Sequence, residues 1–143
     1  MQWLSPIKPY FKLNVNGATF SIHKSAGIGA IVCDHAGRVE AALSKKLYAP
    51  IGPMEIEAKA LDEGVNFSWE VGIRDLVVES DSQVATIIEG TRLKLLEFRH
   101  AIISHVKTQG NRPAHIFAQY VKNIDDYVSW IEENPIMIES VLV

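Results

Sequence analysis

Two carboxylates in this chain sit where a carboxylate needs a reason. Glu57 lies inside a helical pattern that opens at Pro53 and runs to about Gly72. At about 100° per residue, Glu55, Lys59, Asp62, Glu63, Asn66 and Glu70 form one polar face, and Glu57 falls at least roughly 120° from each of them. It therefore points inward, among Met54, Ala58, Ala60, Leu61 and Gly64, where an uncompensated charge is costly. An edge position or an internal hydrogen bond would account for it, and a metal or catalytic role accounts for it better. Asp81 follows the apolar run Leu76-Val77-Val78 within Glu79-Ser80-Asp81-Ser82. Taken alone it is an N-cap for the helical spacing of Val84, Ile87 and Ile88. Its place at the carboxyl end of a buried strand, where α/β sheets tend to bind ligands, gives it a second reading. Glu79 has no independent claim.

The histidines say less. His105 ends the last predicted strand, ahead of Lys107-Thr108-Gln109-Gly110, a place suited to proton transfer and equally to plain exposure. His115 borders an apolar helical stripe, where packing or exposure is the commoner fate. His23, His35 and His100 carry no signal beyond their local contexts. Cys33, the lone cysteine, falls in the apolar run Ile28 to Cys33 and reads as a buried structural thiol.

The elements that must position these groups follow from periodicity. Alternation through Leu13 and Val15, continued from Ala18 to Ile22, predicts a first strand over about Tyr10 to Phe20. Asn16-Gly17 within it is also a tight-turn signal; the continuous strand is preferred because the strands flanking such a turn would be very short. Ile28 to Cys33 and Val39 to Ser44 flank the loop Asp34-His35-Ala36-Gly37 as a hairpin. Gly27-x-Gly29 lacks the following helix that a dinucleotide-binding loop requires and reads as strand glycine. After the Pro53 helix come a buried strand over Arg74 to Glu79, a short helix ending near Gly90, a strand over Phe98 to Val106, and a helix opened by Asn111-Arg112-Pro113 and running through Val121. Three strands, helix, strand, helix, strand, helix is an α/β arrangement with a mixed sheet.

The 143 residues fit one domain, 1–143, without repeats or low-complexity segments. Hydrophobic residues at 48% and charged residues at 22% are globular proportions. No apolar run approaches membrane-spanning length and the N-terminus lacks signal-peptide features, so a soluble, intracellular protein without membrane contact is expected, in cytoplasm or nucleus. Asn66-Phe67-Ser68 fits the glycosylation pattern by chance on that view. A net charge of −3 excludes broad, nonspecific nucleic-acid affinity and leaves local contacts, carried by few basic groups such as Lys45, Lys46 and Arg112.

Together these residues resemble the RNase H superfamily, and specifically the plant reverse-transcriptase-like RNase H domains. Trp3-x-x-Pro6 ahead of Lys12-Leu13-Asn14-Val15-Asn16-Gly17-Ala18 is similar to that group's opening, Trp-x-Pro-Pro followed by Lys-x-Asn-Val-Asp-Gly-Ala. Glu57-Ala58 resembles its Ala-Glu-Ala helix, and Glu79-Ser80-Asp81-Ser82 its Glu-Ser-Asp-Ser. His105-Val106, Asn111 and Ala114-His115 resemble its closing His-Val-x-Arg-x-x-Asn-x-x-Ala-His. Each motif is weak alone; in order, over nearly the whole chain, the set is strong.

The resemblance implies an RNase H-like fold with a five-stranded mixed sheet, order 3-2-1-4-5, flanked by helices. It implies cleavage of RNA in RNA–DNA hybrids, with metal ligands at Asn16, Glu57 and Asp81 holding two Mg²⁺ (or Mn²⁺) ions. It further implies a role for the position of His115, and for His105 as the mobile histidine of proton transfer or product release. Two departures qualify this. Asn16 stands where the family has aspartate, and an amide offers a hard cation one neutral oxygen. The segment between residues 82 and 105 is shorter than in the family, with Leu93 to Phe98 as the remnant of a helix. The expectation is a weak or inactive nuclease with a degraded metal site and weak affinity for a hybrid. A noncatalytic nucleic-acid-binding or protein-interaction domain of the same fold is the rival. The apolar tail, Ile136-Met137-Ile138 and Val141-Leu142-Val143, would serve as a dimer contact in a third, structural reading, though docking onto its own domain is preferred there.

Overall fold

A computed structural model describes residues 4–80, 94–105 and 108–131. Strand β1 spans Phe11–Phe20, and β2 (Ser25–Cys33) returns antiparallel to it, pairing Asn16 with Gly29. The continuous strand expected through Asn16-Gly17 forms, and the competing tight turn does not. The reason is packing: a Cβ on Gly17 would lie 2.8 Å from the Ile56 carbonyl oxygen, so glycine at this point admits the neighbouring helix. Strand β3 (Val39–Leu47) completes a meander, entered through a turn in which Asp34 Oδ1 accepts the Ala36 and Arg38 N–H groups and Gly37 takes φ 79°.

Helix α1 (Pro53–Glu70) starts on proline at its first position, as expected. It buries Ile56, Ala60, Leu61 and Val65 against Leu13, Val15, Ile28 and Val78 on one sheet face. Strand β4 (Asp75–Ser80) runs parallel to β1, and β5 (His100–His105) parallel to β4. Helix α2 (Arg112–Tyr120) covers the opposite face, with Ala114, Phe117 and Ala118 buried. Its backbone lies directly on the sheet, because Cβ atoms at Gly29 and Gly27 would come within 2.2 Å of the Ala114 oxygen and 2.4 Å of the Ala118 oxygen. The strand reading of these two glycines holds, and their use is helix seating.

The five-strand expectation is corrected. A sixth strand, β6 (Tyr127–Ile131), pairs antiparallel with β3, giving a mixed sheet in the order β5-β4-β1-β2-β3-β6. Trp130 of β6 packs on Phe117 and Tyr120. Burial supplies the reason for the extra strand: without it, the β3 edge and Phe117 would face water. The 3-2-1-4-5 order survives within the larger sheet. The short helix expected after Asp81, and most of the shortened segment, lie outside the described residues, as does the C-terminal tail. Cys33 is buried, and burial pushes its thiol up to about 12, with Asp34 adding to the rise and Lys12 opposing it. Among the described residues, no helix is long and apolar enough to cross a membrane.

Candidate active site

The candidate site lies where β1 outruns β4. On one side β1 pairs with β2 along its whole length; on the other, β4 ends with Ser80 opposite Val15. Asn16 is the next residue of β1, and it is buried. Directly opposed residues of an antiparallel pair point to the same face. Asn16 therefore faces the α2 side with Gly29, and Gly29 is the seat of Ala114. His115 follows Ala114 and is exposed.

Glu57 arrives from the other face. Ile56 presses on Gly17, and the adjacent Glu57 accepts the Gly17 N–H through Oε1 at 3.0 Å, while its Oε2 is shielded from solvent. The expected inward orientation of Glu57 is correct, although Met54, expected beside it, is 60% exposed. Of the four residues expected to converge, Glu57 reaches the backbone of Gly17, next to Asn16, and His115 follows Ala114, which is seated opposite Asn16 on Gly29. Asp81 lies outside the described residues, one position beyond the end of β4. His105 closes β5, paired with Ser80.

A group that sequence reasoning set aside proves central. Glu79 forms an ion pair with Lys12 (Oε2 to Nζ, 3.0 Å), and its Oε1 accepts from Asn14 Nδ2 at 3.2 Å. Asn14 Nδ2 also donates to Asn111 Oδ1 at 3.0 Å, and Asn111 Nδ2 donates to the Val15 carbonyl at 2.8 Å. Lys12 further donates to the Leu4 carbonyl at 2.5 Å, tying down the N-terminal arm. Lys12, Asn14 and Asn111 are all buried, so this is a polar layer within the sheet face beside Asn16. The available signal was the pleat: Lys12, Asn14 and Asn16 alternate onto one face, too polar for a surface simply covered by a helix.

Two of the basic groups expected to meet nucleic acid are committed elsewhere. Lys45 pairs with Glu63 at 3.0 Å, and Lys46 donates to the Ile124 carbonyl at 3.3 Å. Arg112 is exposed in the first turn of α2.

As donors for a cation, the Glu57 carboxylate and the Asn16 amide oxygen are hard oxygen ligands of the kind magnesium takes. They bring one negative charge between them, so the set fits a divalent ion in kind while being poor in charge. Among the described residues, no group of three or more His, Cys, Asp or Glu side chains is placed to hold a metal.

Comparison with known proteins agrees with this architecture. Residues 14–121 match the model of a family described as reverse transcriptase-like. A search of curated proteins found no match. Among solved structures, the chain is similar to RNase H1 from the halophilic archaeon Halobacterium salinarum, with a TM-score of 0.71 and 18% identity over 80% of this chain and 98% of that one. The N-terminal RNase H domain of a Mycobacterium tuberculosis protein, solved as a fusion with maltose-binding protein, gives a TM-score of 0.69 at 17% identity, covering 80% of this chain and 94% of that one. LC11-RNase H1 in complex with an RNA/DNA hybrid gives 0.64 at 14% identity, covering 76% and 94%. At these identities the likeness is one of fold.

Proposed function

The chain belongs to the reverse transcriptase-like family, and from that premise we propose that it is an RNase H-type domain acting on RNA–DNA hybrids through a metal site weakened at Asn16. The observation that carries this is the Glu57 contact: a helix-borne carboxylate reaches the backbone of Gly17, beside Asn16, where β4 has ended and Asp81 follows. The hybrid bound by LC11-RNase H1 supports the substrate class. The opening and closing motifs support, on this reading, kinship with the plant members of the family.

Glu57 and Asp81 would hold Mg²⁺ (or Mn²⁺), with Asn16 adding one neutral oxygen, and the metal would supply polarisation of water and stabilisation of charge on the leaving oxygen. His115 borders the site from α2, and His105 carries the proton transfer or product-release role of the mobile histidine. Substrate affinity is weak and salt-sensitive, since the net charge is −3 and Lys45 and Lys46 are already engaged.

The test is Asn16→Asp. Restoring a third carboxylate lowers the cost of holding divalent ions beside a polyanionic phosphate. Cleavage of RNA in a hybrid, followed with Mg²⁺ and with Mn²⁺, should rise at least ~100-fold, and Glu57→Gln or Asp81→Asn in that background should remove the gain. A variant that binds Mg²⁺ as the parent does, and cleaves no faster, would overturn the nuclease reading. The amide at 16 favours the second reading, a noncatalytic binding domain, and that outcome would select it.

A further inference from the structure

The buried polar layer has a geometry that packing alone does not call for. Asn111 occupies the N-cap position of α2, a place where asparagine ordinarily caps its own helix, yet it makes no side-chain cap bond. Its amide is turned onto the sheet instead, giving Nδ2 to Val15 and taking Asn14 with Oδ1. Asn14 is in turn held by Glu79, and Glu79 by Lys12. The line runs from an ion pair on β1 and β4, through two amides, to the first turn of α2, and His115 lies one turn further along that helix.

We propose that the Lys12–Glu79 pair and Asn14 are positioning residues: through Asn111 they fix the start of α2 on Val15 and so set where His115 stands relative to Asn16. This rests on the nuclease reading for its purpose, but its geometry stands apart from it. One feature of the chain gives such a device a use. α2 lies on the smooth track of Gly29 and Gly27, which admits a close approach but offers no side chain to stop the helix sliding along the strand. The Ser44 hydroxyl bond to the Phe117 carbonyl, at 2.7 Å, anchors the middle of the helix, and Asn111 anchors its start.

Two double variants separate a relay from a filler. Lys12→Met with Glu79→Leu removes both charges and the carboxylate that Asn14 donates to, leaving Asn111 Oδ1 as its other acceptor. Lys12→Met with Glu79→Gln removes the same charges and keeps an acceptor oxygen. The first readout is NMR on the otherwise unaltered chain: the side-chain amide signals of Asn14 and Asn111, and the ring signals of His115. The Leu variant should move all three, and the Gln variant should leave the Asn111 and His115 signals at their parent positions. The second readout is hybrid cleavage in the Asn16→Asp background, where the Leu variant should lose at least ~10-fold in kcat with KM little changed and the Gln variant should stay within ~2-fold of its parent. Asn14→Ala, which cuts the line in its middle with the ion pair intact, should reproduce the Leu result even if the Leu variant does not fold. His115 signals that stay put in Asn14→Ala, or that move alike in the Gln and Leu variants, would overturn the proposal. An inactive Asn16→Asp protein would count against the nuclease reading alone, since the resonances need no turnover.

Discussion

Adding one methyl group to Gly29 should unseat a helix. An ideal Cβ there would stand 2.2 Å from the Ala114 oxygen, 2.3 Å from the Ala118 nitrogen and 2.9 Å from the Phe117 carbonyl carbon, all backbone atoms with no rotamer to yield. Ordinary contact begins near 3.4 Å, so α2 must lift by roughly 1 Å. That displacement strains two buried hydrogen bonds that pin the helix, Ser44 to Phe117 at 2.7 Å and Asn111 to Val15 at 2.8 Å. Overpacking costs about 1–3 kcal/mol, and weakening each buried bond adds about 1 kcal/mol, so Gly29→Ala should destabilise by about 3–5 kcal/mol. Against a total stability of about 5–15 kcal/mol this is a large loss. Urea unfolding followed by far-UV circular dichroism measures it, as a lower midpoint at unchanged slope. Gly64→Ala provides the contrast. Its Cβ would meet a side chain, Val15 Cγ1 at 2.5 Å, and it improves helix propensity by about 1 kcal/mol, so the net cost should be about 0–2 kcal/mol. A Gly29→Ala protein as stable as the parent, or more stable than Gly64→Ala, would refute the account of how α2 is seated.

Other expectations concern titration and reactivity. The Asp75 carboxyl is held well below the usual carboxylate range by hydrogen bonds from Arg99 first and His100 second, so its contribution is present above a free carboxyl's pKa of about 4 and is lost as pH falls through its lowered folded value. Asp75→Asn should therefore lower the thermal midpoint at pH 7, and the gap from the parent should narrow steadily toward pH 2; a gap that widens on acidification would contradict the sign. Cys33, with its thiol pushed up to about 12 and its side chain buried, should resist a thiol reagent at pH 8 in the folded protein and react promptly in urea. Equal rates in the two states would contradict its burial.

What the sequence disclosed depended on how far each signal reached along the chain. Strand β1, helix α1 and helix α2 carry their own periodicity, and Glu57 announced itself by breaking one. The Asn16-Gly17 pair misdirects a local reading because its glycine serves an approach by Ile56 from a distant helix. Glu79 looked idle because nothing near it in sequence engages it, while its partners Lys12 and Asn14 belong to another strand. Lys45 and Lys46 looked like available cations because nothing nearby in sequence engages them, whereas Glu63 and the Ile124 carbonyl do so in space. Strand β6 is five alternating residues, Tyr127–Ile131, and only the bare edge of β3 gives them a place.

That last strand also sets an order of events in folding. Lys45 pairs with Tyr127 and Ala41 with Ile131, so the β3 edge has no partner until almost the whole described chain has been made. A nascent chain ending at Tyr120 could already join β1 to β5 and seat α2, yet it would present a strand edge to any other chain that met it. Pairings so far apart in sequence close slowly, which lengthens the exposure. Truncation before Tyr127 should thus be felt first as self-association, and the protection conferred by β6 belongs to the lifetime of the protein as much as to its final stability.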